Sequence, residues 1–292
     1  MRVALVGVGT MGLPMGRNLL AAGHELVAFD IAPERAAALG CTTVSSPAEA
    51  AAAAEVTILS LPAVQVVEQV VLGRGGVAEG AAPGGVVVDM STSPPALARR
   101  LAAALAEHRL DFLDAPVSGG PRGAEEATLT IMVGGEADVL ERTRPVLDTL
   151  GSFVVHVGGH GAGQVVKLCN NLMAGCNMAA AAEACAIAER EGLDPKLFYE
   201  VVTASTGDSR VLRTRFPLAG ADERHPVNRE FEPMFALDLI AKDLGLAREL
   251  AAAAGITAAM VDAALIRYAA AQAEGLGGLD YSAVVKPLTE EG

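Results

Sequence analysis

Val3-Ala4-Leu5-Val6-Gly7-Val8-Gly9-Thr10-Met11-Gly12 stands near the start of the chain, and its reading decides the fold. Four apolar residues lead into a Gly-x-Gly-x-x-Gly turn. A helical stretch follows through Ala22, and a second apolar run, Leu26-Val27-Ala28-Phe29, ends in Asp30. The parts suit one task, holding a dinucleotide through Gly7, Gly9, Thr10, Met11, Gly12 and Asp30. Gly7 permits the tight turn out of a strand, Gly9 lets a pyrophosphate approach the backbone, and Gly12 lets the helix pack close to the sheet. The helix N-terminus adds N–H groups and partial positive charge for the phosphates. Asp30 lies 23 positions after Gly7, where a carboxylate takes the ribose 2′-hydroxyl. A glycine turn alone is weak evidence, but strand, helix and acid in this order make the pattern specific. Asp30 is followed by Ile31-Ala32 rather than an arginine, and its charge repels a 2′-phosphate. NAD is therefore expected over NADP, with Arg35 the nearest group that would blur the choice.

The remaining 262 residues of the 292 must supply the chemistry, and composition narrows what it can be. Hydrophobic residues make up 51% of the chain and aromatics 3%, with no Trp, so the core must be built from Ala, Val and Leu. The net charge of −13, with no basic cluster, argues against binding to nucleic acid or to an anionic membrane. A small anionic substrate stays compatible, because local potential can oppose the net charge. Cys41, Cys169, Cys176 and Cys185 form neither a CxxC pair nor a zinc pattern, so no metal site is expected. Three of them share one helical stretch, where disulfide pairing is geometrically poor, so they are read as buried reduced thiols. With no signal-peptide pattern and no membrane-length apolar run, a cytoplasmic location is expected.

Strand-like and helical runs alternate to about residue 158. Strands are expected at 41–44, 56–60, 86–90, 112–114, 129–133 and 153–157, and helices at 33–39, 93–108 and 136–150. Ser46-Pro47 reads as an N-cap with proline in the first turn, and Ser93-Pro94 as another. Apolar strands alternating with helices predict a mostly parallel sheet covered on both faces. The texture changes at Gly158-Gly159-His160-Gly161-Ala162-Gly163, beyond which only Ala-rich helical periodicity is found. Helices are expected at 164–192, 195–205, 235–254 and 256–274, with Asp280 capping a last short one. The chain reads as α/β, a cofactor domain over 1–160 joined by a long helix to an all-helical domain over 161–292.

The second domain opens with Gly161-Ala162-Gly163-Gln164-Val165-Val166-Lys167-Leu168-Cys169-Asn170-Asn171. Lys167 and Asn171 are four apart, so on a helix they share a face. An isolated lysine in an apolar helix usually extends its ammonium to solvent. Here it follows a glycine-rich junction and has an amide one turn on. Burial beside a cofactor lowers a lysine's pKa, and it then exchanges a proton with a substrate oxygen.

Five segments together resemble the β-hydroxyacid dehydrogenase family. They are Gly7 to Met15, Asp114-Ala115-Pro116-Val117-Ser118-Gly119-Gly120, the Gly161 to Asn171 block, Lys242-Asp243-Leu244-Gly245-Leu246-Ala247, and Asp280-Tyr281-Ser282-Ala283-Val284. The resemblance implies an N-terminal Rossmann domain and an NAD-dependent dehydrogenase. It makes Lys167 the general acid/base and Asn171 a residue that helps hold the substrate. It places Ser118, Gly119 and Gly120 on the substrate carboxylate, which suits a hydroxyl and two glycine amides. It also places Leu61, Pro62 and Thr92 along the NAD site, Thr92 near the nicotinamide end. Lys242 would reach both cofactor and substrate with Asp243 supporting it; alone, that pair would read as a surface ion pair.

Among family substrates, 3-hydroxyisobutyrate, oxidised to methylmalonate semialdehyde in valine catabolism, is the leading expectation. Tartronate semialdehyde, serine and succinic semialdehyde are the alternatives. Phe235, Leu239 and Ile240 mildly favour a substrate with a methyl group. An imine reductase shares the architecture but generally lacks the lysine, and an NAD-binding protein without activity would not need the Lys167–Asn171 pair. The resemblance and the Ala-rich helices also imply a homodimer or homotetramer. One departure is visible: Glu126-Ala127 stands where the family commonly has glycine, and a local backbone adjustment is expected there. Arg122 nearby is a candidate for substrate choice.

Overall fold

The computed structural model describes residues 1–289, and the chain divides into two compact units, Met1–Lys167 and Leu168 onward. In the first unit, β1 (Arg2–Val6), α1 (Gly12–Ala21), β2 (Glu25–Phe29), α2 (Pro33–Ala37), β3 (Thr42–Thr43), α3 (Pro47–Ala52) and β4 (Val56–Leu59) alternate as expected. They are followed by α4 (Val64–Leu72), α5 (Val77–Gly80), β5 (Val86–Asp89), α6 (Pro95–Glu107) and β6 (Asp111–Asp114). The last part holds β7 (Val117–Ser118), α7 (Gly120–Glu125), β8 (Thr130–Gly134), α8 (Ala137–Leu147) and β9 (Phe153–Gly158).

The sheet runs β3-β2-β1-β4-β5-β6-β8-β7, with β9 beside β8. Its first six strands are parallel, while β8 is antiparallel to β6 and β7 and parallel to β9. Strand order reverses between β1 and β4, the point at which such sheets bind ligands outside their carboxyl ends. The side-chain alternation of a strand explains how both faces are covered. Val3 and Leu5 join one apolar cluster with Met15 and Leu19 of α1, while Ala4 and Val6 join another with Leu97 and Leu101 of α6.

Ser46 caps α3 as expected, its Oγ accepting the Glu49 N–H at 3.1 Å. Ser93 does not cap the next helix: α6 starts at Pro95, and Ser93 is fully buried. The helices α4, α5 and α7 are additions to the sequence reading. Ala127 has a left-handed φ of 54°, so alanine sits there in a conformation that glycine adopts more easily.

The helix α9 (Ala162–Arg190) is continuous over 29 residues, and the unit boundary falls within it. The second unit continues with α10 (Pro195–Thr203), α11 (Arg210–Arg215), α12 (Leu237–Ala253), α13 (Ala259–Ala273) and α14 (Lys286–Thr289). Its described residues hold no strand, only an isolated bridge between Ala236 and Asp280. The core gathers Met178, Leu237, Ile240, Leu244 and Tyr268, and the Tyr268 hydroxyl donates to the Gly175 carbonyl at 3.0 Å. Asp280 caps the last turns as expected, accepting from Ser282 N–H and Oγ, and it also pairs with Arg215 at 3.3 Å. All four cysteines are free; only Cys185 is buried, which pushes its thiol up to about 12, and Cys169 is exposed. Among the described residues, no helix is long and apolar enough to cross a membrane.

Candidate active site

The glycine turn shows three distinct fits. Gly7 has φ 95°, and a Cβ there would lie 2.3 Å from the Ser60 carbonyl oxygen at the end of β4. A Cβ on Gly12 would lie 2.0 Å from the Gly7 carbonyl oxygen, so the start of α1 presses directly on the turn. A Cβ on Gly9 would meet nothing within 4 Å. The protein's own packing thus excludes a side chain at Gly7 and Gly12, whereas the space at Gly9 is open. No side chain caps α1; the Leu13 N–H already donates to the Gly9 carbonyl at 2.9 Å and Pro14 has none, so the donors left for an anion are the amides of the turn from Gly9 to Gly12. Asp30, at the end of β2, accepts the Val8 N–H at 2.7 Å and the Ala32 N–H at 2.9 Å, tying the turn to the strand. Ile31 beside it is 92% exposed, so no side chain at that position covers the carboxylate. These residues fit NAD: the open space at Gly9 would admit the pyrophosphate, the amides of the turn would face its charge, and the Asp30 carboxylate would take the ribose hydroxyl.

Behind this turn lies a buried polar network that the sequence did not reveal. Leu61, after β4, donates its N–H to Ser91 Oγ at 3.0 Å, and Pro62 follows it. Ser91 donates its own N–H to Asp89 Oδ1 at 3.0 Å. Ser91 and Ser93 are buried, while Thr92 between them is half-buried. Gln164, fully buried in the first turn of α9, spans the same loop. Its Oε1 accepts the Ser93 N–H at 3.0 Å and its Nε2 donates to the Ser91 carbonyl at 2.9 Å. Asp114, at the end of β6, accepts the Gly161 N–H at 2.7 Å and the Gln164 N–H at 3.0 Å, capping α9 from a neighbouring element. Asp89 and Asp114 are register partners across β5 and β6. Burial raises both carboxyls, Asp89 to about 7, and the negative charge of Asp114 raises Asp89 further.

Lys167 lies one turn beyond Gln164 and is only 8% exposed, so its side chain does not extend freely to solvent. Ser118 ends β7, half-buried, and Gly119 and Gly120 follow with φ 139° and 64°. Such values open the loop's backbone to a ligand at little steric cost. Arg122, in α7, is exposed and ion-paired with Glu126 at 2.7 Å.

In the second unit, Asn171 is buried one turn along α9 from Lys167. Its Nδ2 donates to Asp243 Oδ2 at 2.6 Å, and its Oδ1 accepts from Asn170 Nδ2 at 3.0 Å. Asp243 Oδ1 lies 3.1 Å from Lys242 Nζ, close enough for charge pairing though not aligned as a hydrogen bond. Asp243 therefore orients Asn171 as well as accompanying Lys242. Lys242 is 32% exposed. Ile240 is buried in the core of this unit, which removes it from a methyl-binding role, while half-buried Phe235 packs against that core edge-on to Tyr281. The signal for Asp243 was present in the Lys242-Asp243 pair; Gln164, Asp89, Ser91 and Ser93 stand outside the binding roles read from the sequence.

A parallel sheet with a glycine turn at its switch point, an acid at the end of β2 and a buried lysine on the adjoining helix define a nicotinamide-dependent dehydrogenase. Known proteins agree. Residues 2–159 match the family model for the NAD binding domain of 6-phosphogluconate dehydrogenase. Residues 161–288 match that for the NAD-binding region of NADP-dependent 3-hydroxyisobutyrate dehydrogenase. The chain is 41% identical to a 3-hydroxyisobutyrate dehydrogenase of Pseudomonas aeruginosa, over 97% of each chain. It is 40% identical to an NAD-dependent L-serine dehydrogenase of the same organism, over 98% of this chain and 97% of the relative. A solved structure of Mycobacterium tuberculosis 3-hydroxyisobutyrate dehydrogenase with L-serine superposes with a TM-score of 0.91, at 39% identity and 99% coverage of both chains. The chain belongs to the β-hydroxyacid dehydrogenase family, and it is an NAD-dependent oxidoreductase.

Proposed function

We propose that the chain oxidises 3-hydroxyisobutyrate to methylmalonate semialdehyde, with Lys167 as the general base. The observation that carries this reading is a lysine only 8% exposed on a helix whose first turn is anchored to the cofactor loops. When bound, NAD supplies the hydride acceptor; Gly7, Gly9, Thr10, Met11, Gly12, Asp30, Leu61, Pro62 and Thr92 are the residues that would hold it. Neutral Lys167 Nζ takes the proton of the substrate hydroxyl as the C–H bond breaks, and returns it in the reverse direction. Ser118 Oγ and the amides of Gly119 and Gly120 bind the substrate carboxylate. Asn171, fixed by Asp243, aligns the hydroxyl. Lys242 adds positive charge for the anionic substrate, and positioning of this kind supplies much of the rate.

L-Serine is the second reading, favoured by the named activity of one relative and by the ligand of the solved structure. A panel of β-hydroxy acids assayed with NAD and NADP separates them. The highest kcat/KM is expected for 3-hydroxyisobutyrate with NAD, and a tenfold preference for L-serine would transfer the assignment. Lys167→Ala should lower kcat by about 10²–10⁴-fold while NADH binding persists. Retained turnover would refute the role of Lys167.

We also infer a homodimer or homotetramer acting in the cytoplasm. Exposed Met173, Ile187, Leu197, Val201, Met260 and Ile266 in the second unit support self-association. A monomer by sedimentation at micromolar concentration would count against it.

A further inference from the structure

We propose that Gln164 is a positioning residue, whose amide locks the Ser91–Ser93 loop to the first turn of α9 and so sets Thr92 and Lys167 in one frame. The inference rests on the reading of Lys167 given above. A glutamine in an Ala- and Val-rich helix has no packing advantage over leucine, and burying its amide costs free energy unless both ends are bonded. Both ends are bonded, at 3.0 and 2.9 Å, to the two residues that flank Thr92. The pairing is directional: one donor and one acceptor meet a backbone acceptor and donor, so a slip or a flip of the loop breaks both bonds. The Gln164 main chain is held in turn by Asp114.

The loop is equally constrained from the other side, where Ser91 meets Leu61 and Asp89. Three elements, the ends of β4 and β5 and the start of α9, therefore converge on Ser91, through its hydroxyl, its N–H and its carbonyl. Gln164 and Lys167 are neighbours at i and i+3, so a rotation or shift of this turn is transmitted to the lysine. An ångström of misplacement at a reacting group costs on the order of 10²-fold in rate.

Two variants test this in the full-length protein. Gln164→Leu keeps the volume and removes the amide. Gln164→Glu keeps the shape but makes donation to the Ser91 carbonyl depend on protonation. The charged groups packed around this turn are Asp89 and Asp114 at the strand ends, Arg99 of α6 beside Gly161, His160 before α9, and Lys167 one turn on. Burial and the two aspartate carboxyls favour the protonated form of the introduced carboxyl at low pH, when it can donate and accept as the amide does.

For Gln164→Leu, kcat should fall about 10- to 100-fold with KM changed less than about threefold, and deuterium uptake across residues 90–94 should rise. For Gln164→Glu, kcat relative to wild type should recover at least about threefold between about pH 8.5 and about pH 6, while the Gln164→Leu variant shows a flat ratio. The proposal is overturned if Gln164→Leu keeps kcat within about twofold, if exchange over 90–94 is unchanged, or if the two variants track each other at both pH values. Lys167→Ala, measured alongside, separates the two readings. Its retained turnover would remove the lysine's role, whereas the exchange result decides by itself whether Gln164 holds the loop.

Discussion

Replacing Asp89 with Asn tests how the buried acid network is charged. Asp89 is 1% exposed, its Oδ2 lacks a hydrogen-bond partner, and its register partner is the buried Asp114. Burial raises its carboxyl from 3.8 to about 7. Between those values the folded state holds a proton that the unfolded chain has released, so stability is lost as pH rises from about 4 to about 7. From these two pKa values, ionising Asp89 costs the fold on the order of 2 kcal/mol by pH 5 and on the order of 4 kcal/mol by pH 8. Asn cannot ionise, and its carbonyl oxygen can still accept the Ser91 N–H. The stability of Asp89→Asn relative to wild type should therefore grow by roughly 2–3 kcal/mol from pH 5 to pH 8, flattening above the pKa. Any constant cost of placing an NH₂ group at the Oδ2 position cancels in this difference. With no Trp in the chain, urea unfolding is best followed by far-ultraviolet circular dichroism, and the midpoint shift is scaled by a common m value. A gap that stays constant within about 0.5 kcal/mol across this range would refute the reasoning.

Two further perturbations separate packing from binding. Gly12→Ala forces a Cβ against the Gly7 carbonyl and should destabilise the apoprotein by about 1–3 kcal/mol. Gly9→Ala, with open space around it, should leave the apoprotein midpoint within about 0.5 kcal/mol and weaken NAD binding at least tenfold by NADH fluorescence titration. Equal effects of the two on apoprotein stability would contradict the contrast. Ala127→Gly should stabilise by roughly 0.5–1 kcal/mol, because the left-handed conformation costs alanine about 1–2 kcal/mol and the added glycine entropy returns only part of it. A lower melting temperature for that variant would show that the alanine methyl contributes packing.

The β-sheet was the most legible part of the fold because its strands are uninterrupted apolar runs, and Val3–Val6, Val56–Leu59 and Val86–Asp89 fall close to where the pattern places them. Helix α4 was hidden because Val64-Gln65-Val66-Val67 is rich in a β-branched residue; burial of Val67 and Val71, one turn apart, overrides that propensity. Ser93-Pro94 carried the local signature of a helix start, but a tertiary bond from the Ser93 N–H to Gln164 claims the segment for the loop. The glycine turn, Asp30, Lys167 and Asn171 could be named from their motifs. The network behind them could not, since Asp89, Ser91, Asp114 and Gln164 are distant in sequence and each is ordinary in its own neighbourhood. Ile240 illustrates the opposite error: proximity to Lys242 suggested a pocket, while helical periodicity turns it into the core.

Gln164 and Asp114 also bear on how such enzymes can be recombined. The conspicuous seam in the sequence is the glycine-rich stretch at 158–163, and a chimera joined at Gly161 would take α9 from one parent and its anchors from another. Asp114, Ser91 and Ser93 would then face a helix start shaped by a different lineage. A crossover after Lys167 keeps these bonds within one parent and carries the lysine with the cofactor domain. If Lys167 is the base, as proposed, the module that must be inherited intact is the nucleotide-binding unit together with the first turns of the long helix, and the helical remainder is the part to exchange.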